Sequence, residues 1–166
     1  MSQIVVVSGN PRPGSRTLTL ASAVGAAIAA RAGTNGAAGR GGVVTIDVGE
    51  LGAGLLTPGD PATVAAVAAL TAADVLVVAT PTYKGSYTGV LKVLLDQLPA
   101  RALAGKRAVP VVTAGVAPQA AAAEDLLRRL LVELGADVVE PGLTVVEPDL
   151  GDSAAIAQKY AAGHDW

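Results

Sequence analysis

The sequence predicts an α/β fold built on a doubly wound sheet of five parallel strands, with helices on both faces. Three observations support this fold class. Short runs of β-branched and other apolar residues alternate with helix-forming segments along the whole chain. The strand segments are continuous apolar runs, which are typical of strands buried on both faces. The length of 166 residues suits one domain, so we expect a single domain over residues 1–166.

The first half of the chain supplies two strand–helix units. Ser15 is the predicted N-cap of the first helix. The buried face of that helix is predicted to comprise Leu18, Ala21, Ala26 and Ala29. The glycine-rich stretch at residues 33–42 ends it, and Pro61 lies in the first turn of the next helix. The predicted elements are a strand at Ile4–Val7, a helix at Ser15–Arg31, a strand at Val43–Val48 and a helix at Pro61–Thr71.

The second half continues the alternation. Pro81 ends the most apolar strand, and Pro110 lies inside the following one, where we expect it to disturb the regular pairing. The helix after Pro81 carries an apolar stripe formed by Val90, Leu91, Leu94, Leu95 and Leu98. The predicted elements are a strand at Asp74–Thr80, a helix at Tyr87–Leu98, a strand at Ala108–Thr113, a helix at Gln119–Leu134, a strand at Asp137–Val146 with a Pro-Gly interruption, and a helix at Ser153–Ala161.

Composition excludes several kinds of chemistry. The chain contains no cysteine and a single histidine, His164. Disulfides, thiolate catalysis, iron–sulfur clusters, sulfur-ligated zinc, His-rich metal sites and most Ser-His-Asp arrangements are therefore excluded. Protein side chains alone are therefore poorly equipped for demanding chemistry.

Charge and hydropathy patterns argue against nucleic acid and membranes as partners. Twelve basic and fourteen acidic residues give a net charge of -2, and no predicted helix carries a basic cluster. No apolar run reaches the ~18–20 residues of a membrane span, and the N-terminus lacks a basic, signal-like segment. We expect a cytoplasmic protein.

The loop after the first strand resembles a monophosphate socket. It is a glycine-rich turn that leads into a helix N-terminus, where backbone N–H groups and the helix dipole favour an anion. Its hydroxyl, amide and guanidinium groups belong to Ser8, Asn10, Arg12, Ser15, Arg16 and Thr17. Neither a Walker loop nor G-x-G-x-x-G is present, so ATP and a tightly bound dinucleotide are disfavoured. The alternative is an ordinary polar turn capped by Ser15.

Two further loops follow neighbouring strands. The loop that begins at Pro81 contains Tyr83 and Tyr87, two of the four aromatic residues in the chain. Tyrosine offers a flat ring on which a heteroaromatic ligand can pack. Tyr87 could instead cap the apolar stripe or pack against another subunit. The third loop runs over Thr113–Gln119. Doubly wound sheets bind ligands at the carboxyl ends of such strands.

The segments Gly9–Thr17, Ala79–Lys92, Leu94–Asp96 and Leu98–Lys106 together resemble the flavodoxin-like NAD(P)H-dependent FMN reductases, especially those of the alkanesulfonate-utilisation type. The resemblance implies the strand order 2-1-3-4-5. It places the FMN phosphate in the first loop, the isoalloxazine ring against the second and the pyrimidine edge against the third. The implied cofactor-binding residues are Ser8, Asn10, Arg12, Ser15, Arg16, Thr17, Pro81, Thr82, Tyr83, Lys84, Gly85, Ser86, Thr113 and Gly115.

The implied activity is hydride transfer from NADPH or NADH to FMN, with reduced flavin supplied to a flavin-dependent monooxygenase. The flavin supplies the chemistry, so the protein's task is positioning, and no catalytic side chain or metal ligand is predicted. The resemblance also implies a homodimer or homotetramer, in which the apolar stripe either mediates contact or packs on its own sheet. The alternatives are an FMN-retaining quinone, azo or nitro compound reductase and a flavodoxin-type electron carrier. Asp47, which ends the second strand, is interpreted as an ordinary loop acid.

Overall fold

A parallel sheet forms the centre of the protein. The computed structural model describes residues 2–33 and 42–166, and within them the sheet has six strands in the order β2-β1-β3-β4-β5, with β6 also paired to β4. The predicted order 2-1-3-4-5 is therefore confirmed. The strands are β1 (Ile4–Ser8), β2 (Val43–Asp47), β3 (Val75–Pro81), β4 (Arg107–Ala114), β5 (Asp137–Val138) and β6 (Leu143–Val146).

Helices cover both faces of the sheet, as predicted. The helices are α1 (Arg16–Arg31), α2 (Val48–Leu51), α3 (Pro61–Ala72), α4 (Gly89–Leu95), α5 (Ala117–Glu133) and α6 (Ser153–Ala162), and 3₁₀ turns occupy Gly52–Leu56 and Glu147–Asp152. Because strand side chains alternate, Val5 and Val7 face α2, α3, α4 and α5, while Ile4 and Val6 face α1 and α6. The central strands β1, β3 and β4 are thus buried on both sides, whereas the edge strand β2 is mostly exposed.

The last predicted strand differs from the structure. Asp137–Val146 forms two short strands that pair with successive parts of β4: β5 with Arg107–Ala108 and β6 with Val111–Ala114. Pro141, between them, has no N–H to continue a ladder. Pro110 does not disturb β4, because it pairs with Val78 of β3 and lies between the two parts of β4 that pair with β5 and β6.

The buried faces of α1 and α4 can be compared with the predicted ones. The buried side of α1 includes the predicted Ala21 and Ala29, but its large residues are Leu20, Val24 and Ile28. Leu18 is only half-buried and Ala26 is exposed, so the predicted face was wrong at these two positions. An alanine-rich helix has little contrast between its faces, so small residues are a poor guide to which side is buried. The stripe on α4 packs inside the molecule: Leu91, Leu94, Leu95 and Leu98 are all buried in the core.

Some predictions fall outside these observations. The glycine-rich break at residues 33–42 lies mostly outside the described residues, and the assignment of residues 1–166 to a single domain stays a prediction. Across the described ranges, no single helix is long and apolar enough to cross a membrane, although the bent pair Val48–Leu56 and Pro61–Ala72 passes the same test by length and composition.

Candidate functional site

Three loops meet at the carboxyl edge of the sheet because they follow adjacent strands. Ser8 at the end of β1 is in register with Ala79 of β3, and Pro81 at the end of β3 is in register with Thr113 of β4. The first loop (residues 9–15), the second loop (residues 82–88) and the third loop (residues 115–116) therefore begin side by side. This is the edge at which doubly wound sheets bind ligands.

The first loop is held in shape by local hydrogen bonds. The backbone N–H of Arg12 donates to Asn10 Oδ1 at 2.9 Å, and Asn10 Nδ2 donates to Thr17 Oγ1 at 3.3 Å. Gly14 has a φ of 63°, a left-handed conformation that favours glycine. The loop therefore turns sharply just before α1 begins.

The first turn of α1 presents donors suited to an anion. Ser15 is the N-cap, as predicted, and its hydroxyl accepts from the N–H of Leu18 at 3.2 Å. The backbone N–H groups of Arg16 and Thr17 belong to the first turn and have no intrahelical acceptor. The exposed guanidinium groups of Arg12 and Arg16 lie on the same side of the molecule. The helix dipole adds to this preference for negative charge.

Ser8 differs from the other predicted residues of the first loop. It is completely buried, and its hydroxyl has no hydrogen-bond partner within the described part of the chain. By strand alternation it faces the α1 side of the sheet. Ser8 therefore lies beneath the first loop and does not line an open surface.

The second loop contains a tight two-residue turn. Tyr83 and Ser86 exchange two backbone hydrogen bonds of 2.9 and 3.1 Å, and between them Lys84 and Gly85 both have positive φ, 51° and 80°. Positive φ at both central positions is the signature of a type I′ turn. The Tyr83 ring is 47% exposed, whereas Tyr87 is half-buried and packs on the core. The turn thus leaves Tyr83 exposed, while Tyr87 packs on the core.

Thr88 and Thr82 attach the second loop to the elements on either side of it. Thr88 is buried, donates its hydroxyl to the Gly9 carbonyl and accepts from the N–H of Leu91 as the N-cap of α4. Thr82 Oγ1 donates to the Thr113 carbonyl at 2.9 Å. The second loop is therefore bonded to the first loop and to the end of β4. The prediction did not include Thr88.

A cleft of about 350 Å³ opens where the loops meet. It is lined by Asn10, Arg12, Gly14, Ser15, Arg16, Thr17, Pro81, Tyr83, Thr113, Glu147 and Leu150. The remaining predicted residues do not line it, namely Ser8, Thr82, Lys84, Gly85, Ser86 and Gly115. Glu147 and Leu150 were missed, although they follow the last strand and so occur at the same edge of the sheet.

A larger groove of about 760 Å³ runs along β6 between α5 and α6. Its walls are largely aliphatic, with residues such as Leu143, Val145 and Ile156, and none of its lining residues comes from the first or second loop. The smaller cleft is the better candidate site because polar donors from separate strands converge there.

Comparisons with known proteins identify the family of this chain. The sequence profile of the NADPH-dependent FMN reductase family matches residues 2–149. The chain belongs to this family. A relative from Escherichia coli (strain K12) named FMN reductase (NADPH) is 45% identical over 71 residues, which cover 43% of this chain and only 37% of the relative.

Solved structures extend the similarity over the whole chain. The apo form of an NADH:FMN oxidoreductase (EMOB) superposes with a TM-score of 0.81 and 32% sequence identity, covering 99% of this chain and 91% of that one. An archaeal flavodoxin gives a TM-score of 0.65 at 16% identity, covering 97% of each chain. The second comparison shows the flavodoxin-like fold alone, as the resemblance implied.

Proposed function

We propose that the protein is an NAD(P)H-dependent FMN reductase that binds the FMN phosphate in the cleft between the first loop and Thr113. One observation carries this proposal: Arg16 and Thr17, whose first-turn N–H groups have no intrahelical acceptor, line the same cleft as Arg12 and Tyr83. Backbone N–H groups, hydroxyls and guanidinium groups are the donors that phosphate requires. The residues present therefore fit the phosphate end of FMN.

The second loop fits the ring end. Tyr83 offers a half-exposed aromatic face, and the type I′ turn keeps it fixed relative to β3. In this proposal the side chain or backbone of Thr82, Lys84 and Ser86 faces the flavin, and Gly115 lets the third loop approach its edge. When bound, FMN accepts a hydride from the nicotinamide nucleotide. The protein positions the two reactants, so it needs no acid or base of its own.

Steady oxidation of NADPH and of NADH, each with and without added FMN, tests this function. Turnover that needs added FMN and a preparation that loses its colour on dialysis support a reductase that releases flavin. Turnover of a quinone, azo or nitro compound by a protein that stays yellow supports the alternative. If the protein oxidises neither nucleotide, the flavodoxin-type electron carrier is the alternative that remains. The two relatives named above differ in nucleotide by name, so both nucleotides are tested.

Phosphate recognition is tested separately by comparing FMN with riboflavin. Hydrogen bonds to charged groups are worth about 1.5–3 kcal/mol each, so Arg12→Ala or Ser15→Ala should weaken FMN about 10- to 100-fold. Riboflavin, which lacks the phosphate, should bind almost unchanged. Arg31→Ala, at the opposite end of α1, is the control. Equal losses for FMN and riboflavin would show that the first loop does not bind phosphate.

We also propose that the protein forms a homodimer or homotetramer and supplies reduced flavin to a flavin-dependent monooxygenase. The apolar stripe on α4 is buried, so association must use other surfaces, for example around the exposed Leu56 and Val64. Light scattering after size-exclusion chromatography tests the oligomer, and a fully active monomer at micromolar concentration would contradict it. The cytoplasmic location stays a prediction, which cell fractionation would test.

A further inference from the structure

We infer that Asp47 is a positioning residue that holds the first loop in its anion-binding shape. This inference rests on the proposed function, because it assigns Asp47 a role in binding the FMN phosphate. Asp47 does not line the cleft. Its effect on the ligand passes through the backbone of the loop.

The strand register places Asp47 beside the start of the first loop. Asp47 is the last residue of β2 and pairs with Ser8, the last residue of β1. Its two carboxylate oxygens have different partners. Oδ2 accepts from the backbone N–H of Gly14 at 2.9 Å, and Oδ1 accepts from the N–H of Gly49 at 3.2 Å. One side chain therefore joins the end of the first loop to the beginning of α2.

The bond to Gly14 acts where the first loop enters α1. Gly14 adopts a left-handed conformation, and the next residue is the N-cap of α1. The other end of the loop is tied to the sheet and α4, because the Gly9 N–H donates to the Ala79 carbonyl at 2.8 Å and Thr88 donates to the Gly9 carbonyl. Asp47 supplies the corresponding long-range tether at the end where the anion-binding donors begin.

The backbone of α2 forms a floor under the same loop. A Cβ atom added at Gly49 would lie 2.7 Å from Pro13 N, 2.9 Å from the Arg12 carbonyl carbon and 2.9 Å from the Asn10 carbonyl oxygen. Real Cβ atoms do not approach backbone atoms so closely, so any side chain here would displace the loop. Asp47 and Gly49 thus fix the loop together, one by a hydrogen bond and the other by close contact.

The negative charge of Asp47 allows a positioning role to be distinguished from a simple charge effect on FMN binding. A negative charge close to an anion site repels the phosphate, so a charge effect alone predicts that Asp47→Asn tightens FMN. A positioning role predicts the opposite. The Gly14 and Gly49 N–H groups bond to different oxygens of Asp47, and in Asn one of these oxygens is replaced by an NH2 donor, so one of the two hydrogen bonds is lost.

The experiment measures FMN and riboflavin affinity by flavin fluorescence and stability by urea unfolding. Asp47→Ala and Asp47→Asn should each weaken FMN about tenfold, which corresponds to about 1.4 kcal/mol, and change riboflavin less than about twofold. Asp60→Ala is the matched control. Asp60 also caps a helix, accepting from the Thr63 N–H at 3.0 Å, but it has no bond to the first loop. It should lower stability without changing the ratio of the two affinities.

A second pair of variants guards against a failure to fold. Gly49→Ala should also weaken FMN selectively, while Gly151→Ala, where an added Cβ meets nothing within 4 Å, should not. Tighter FMN binding by Asp47→Asn, or an affinity ratio unchanged in both Asp47 variants, would overturn the inference. Arg12→Ala, measured in parallel, separates the two proposals. If Arg12→Ala also fails to discriminate FMN from riboflavin, the phosphate assignment itself is wrong.

Discussion

Replacement of Thr88 by valine tests the connection between the first and second loops. Valine has nearly the same shape as threonine, so the change removes a hydroxyl and leaves packing almost intact. That hydroxyl is buried, donates to the Gly9 carbonyl and accepts from the N–H of Leu91 at 3.2 Å. The variant therefore loses two hydrogen bonds from one atom.

The expected cost follows from these two partners. Loss of a threonine N-cap typically costs about 0.5–2 kcal/mol of the free energy of unfolding. The Gly9 carbonyl is buried and would be left without this donor, which costs roughly 1–3 kcal/mol. We expect a total of about 1.5–5 kcal/mol, or a fall in Tm of about 3–20 °C for a chain of this length. Thr88→Ser keeps the hydroxyl and loses only a methyl group, worth about 1 kcal/mol.

Urea unfolding followed by circular dichroism compares the two variants with the wild type. Thr88→Val should be clearly less stable than Thr88→Ser, and it should bind FMN more weakly because Gly9 begins the first loop. Urea unfolding shows whether the hydroxyl stabilises the fold, and the FMN affinity shows whether its loss also disturbs the first loop. If the valine variant is as stable as the serine variant, the hydroxyl does not hold the loops together and the reasoning fails.

Three other predictions address the ring, the cleft charge and pH. Tyr83→Ala should lower flavin affinity or single-turnover reduction about tenfold, whereas Tyr83→Phe, which keeps the ring, should not. Glu147→Gln removes a carboxylate from the cleft and should tighten FMN, but not riboflavin, about two- to fivefold in titrations. Burial raises the pKa of Tyr160 to about 12. The stability gained from keeping this phenol neutral is complete below its ordinary pKa of about 10 and is lost as pH rises towards 12. Unfolding free energies should therefore fall for the wild type relative to Tyr160→Phe over that interval, and parallel curves would contradict this.

Tyr160 is a poor control for Tyr83, although its position in the sequence suggests a good one. Its position in the last helix suggests a residue with no role near the cleft, so Tyr160→Ala is an obvious companion to Tyr83→Ala. The structure shows that Tyr160 is half-buried on the core and donates its hydroxyl to the Pro141 carbonyl at 2.7 Å. Its truncation would lower stability, so Tyr83→Phe is the better control.

The parts of the site that the sequence predicts are those governed by local rules. Ser15 was predicted as an N-cap because capping depends on a few adjacent residues. The meeting of the three loops was predicted because parallel strands in this order bring their carboxyl ends to one edge. Glu147 was missed because the prediction took site residues only from the loops after the first, third and fourth predicted strands, whereas Glu147 follows the last one.

The tethers of the first loop could not be predicted, since each joins residues distant in sequence. Asp47 bonds to Gly14, 33 positions away, and Thr88 bonds to Gly9, 79 positions away. An isolated aspartate after a strand and a threonine before a helix are compatible with many ordinary caps. Only the strand register and the packing of α4 show that their side chains also reach the loop.

Burial of the α4 stripe connects the core to the proposed flavin site. The sequence leaves open whether this stripe contacts another subunit, because an amphipathic helix does not reveal which surface covers its apolar face. In the structure Leu91, Leu94 and Leu95 anchor α4 on its own sheet. The second loop joins β3 directly to this helix through Thr88, so both of its ends are attached to buried elements. Tyr83 therefore owes its fixed position to the hydrophobic core beneath it, and core substitutions in α4 should disturb flavin binding through this loop.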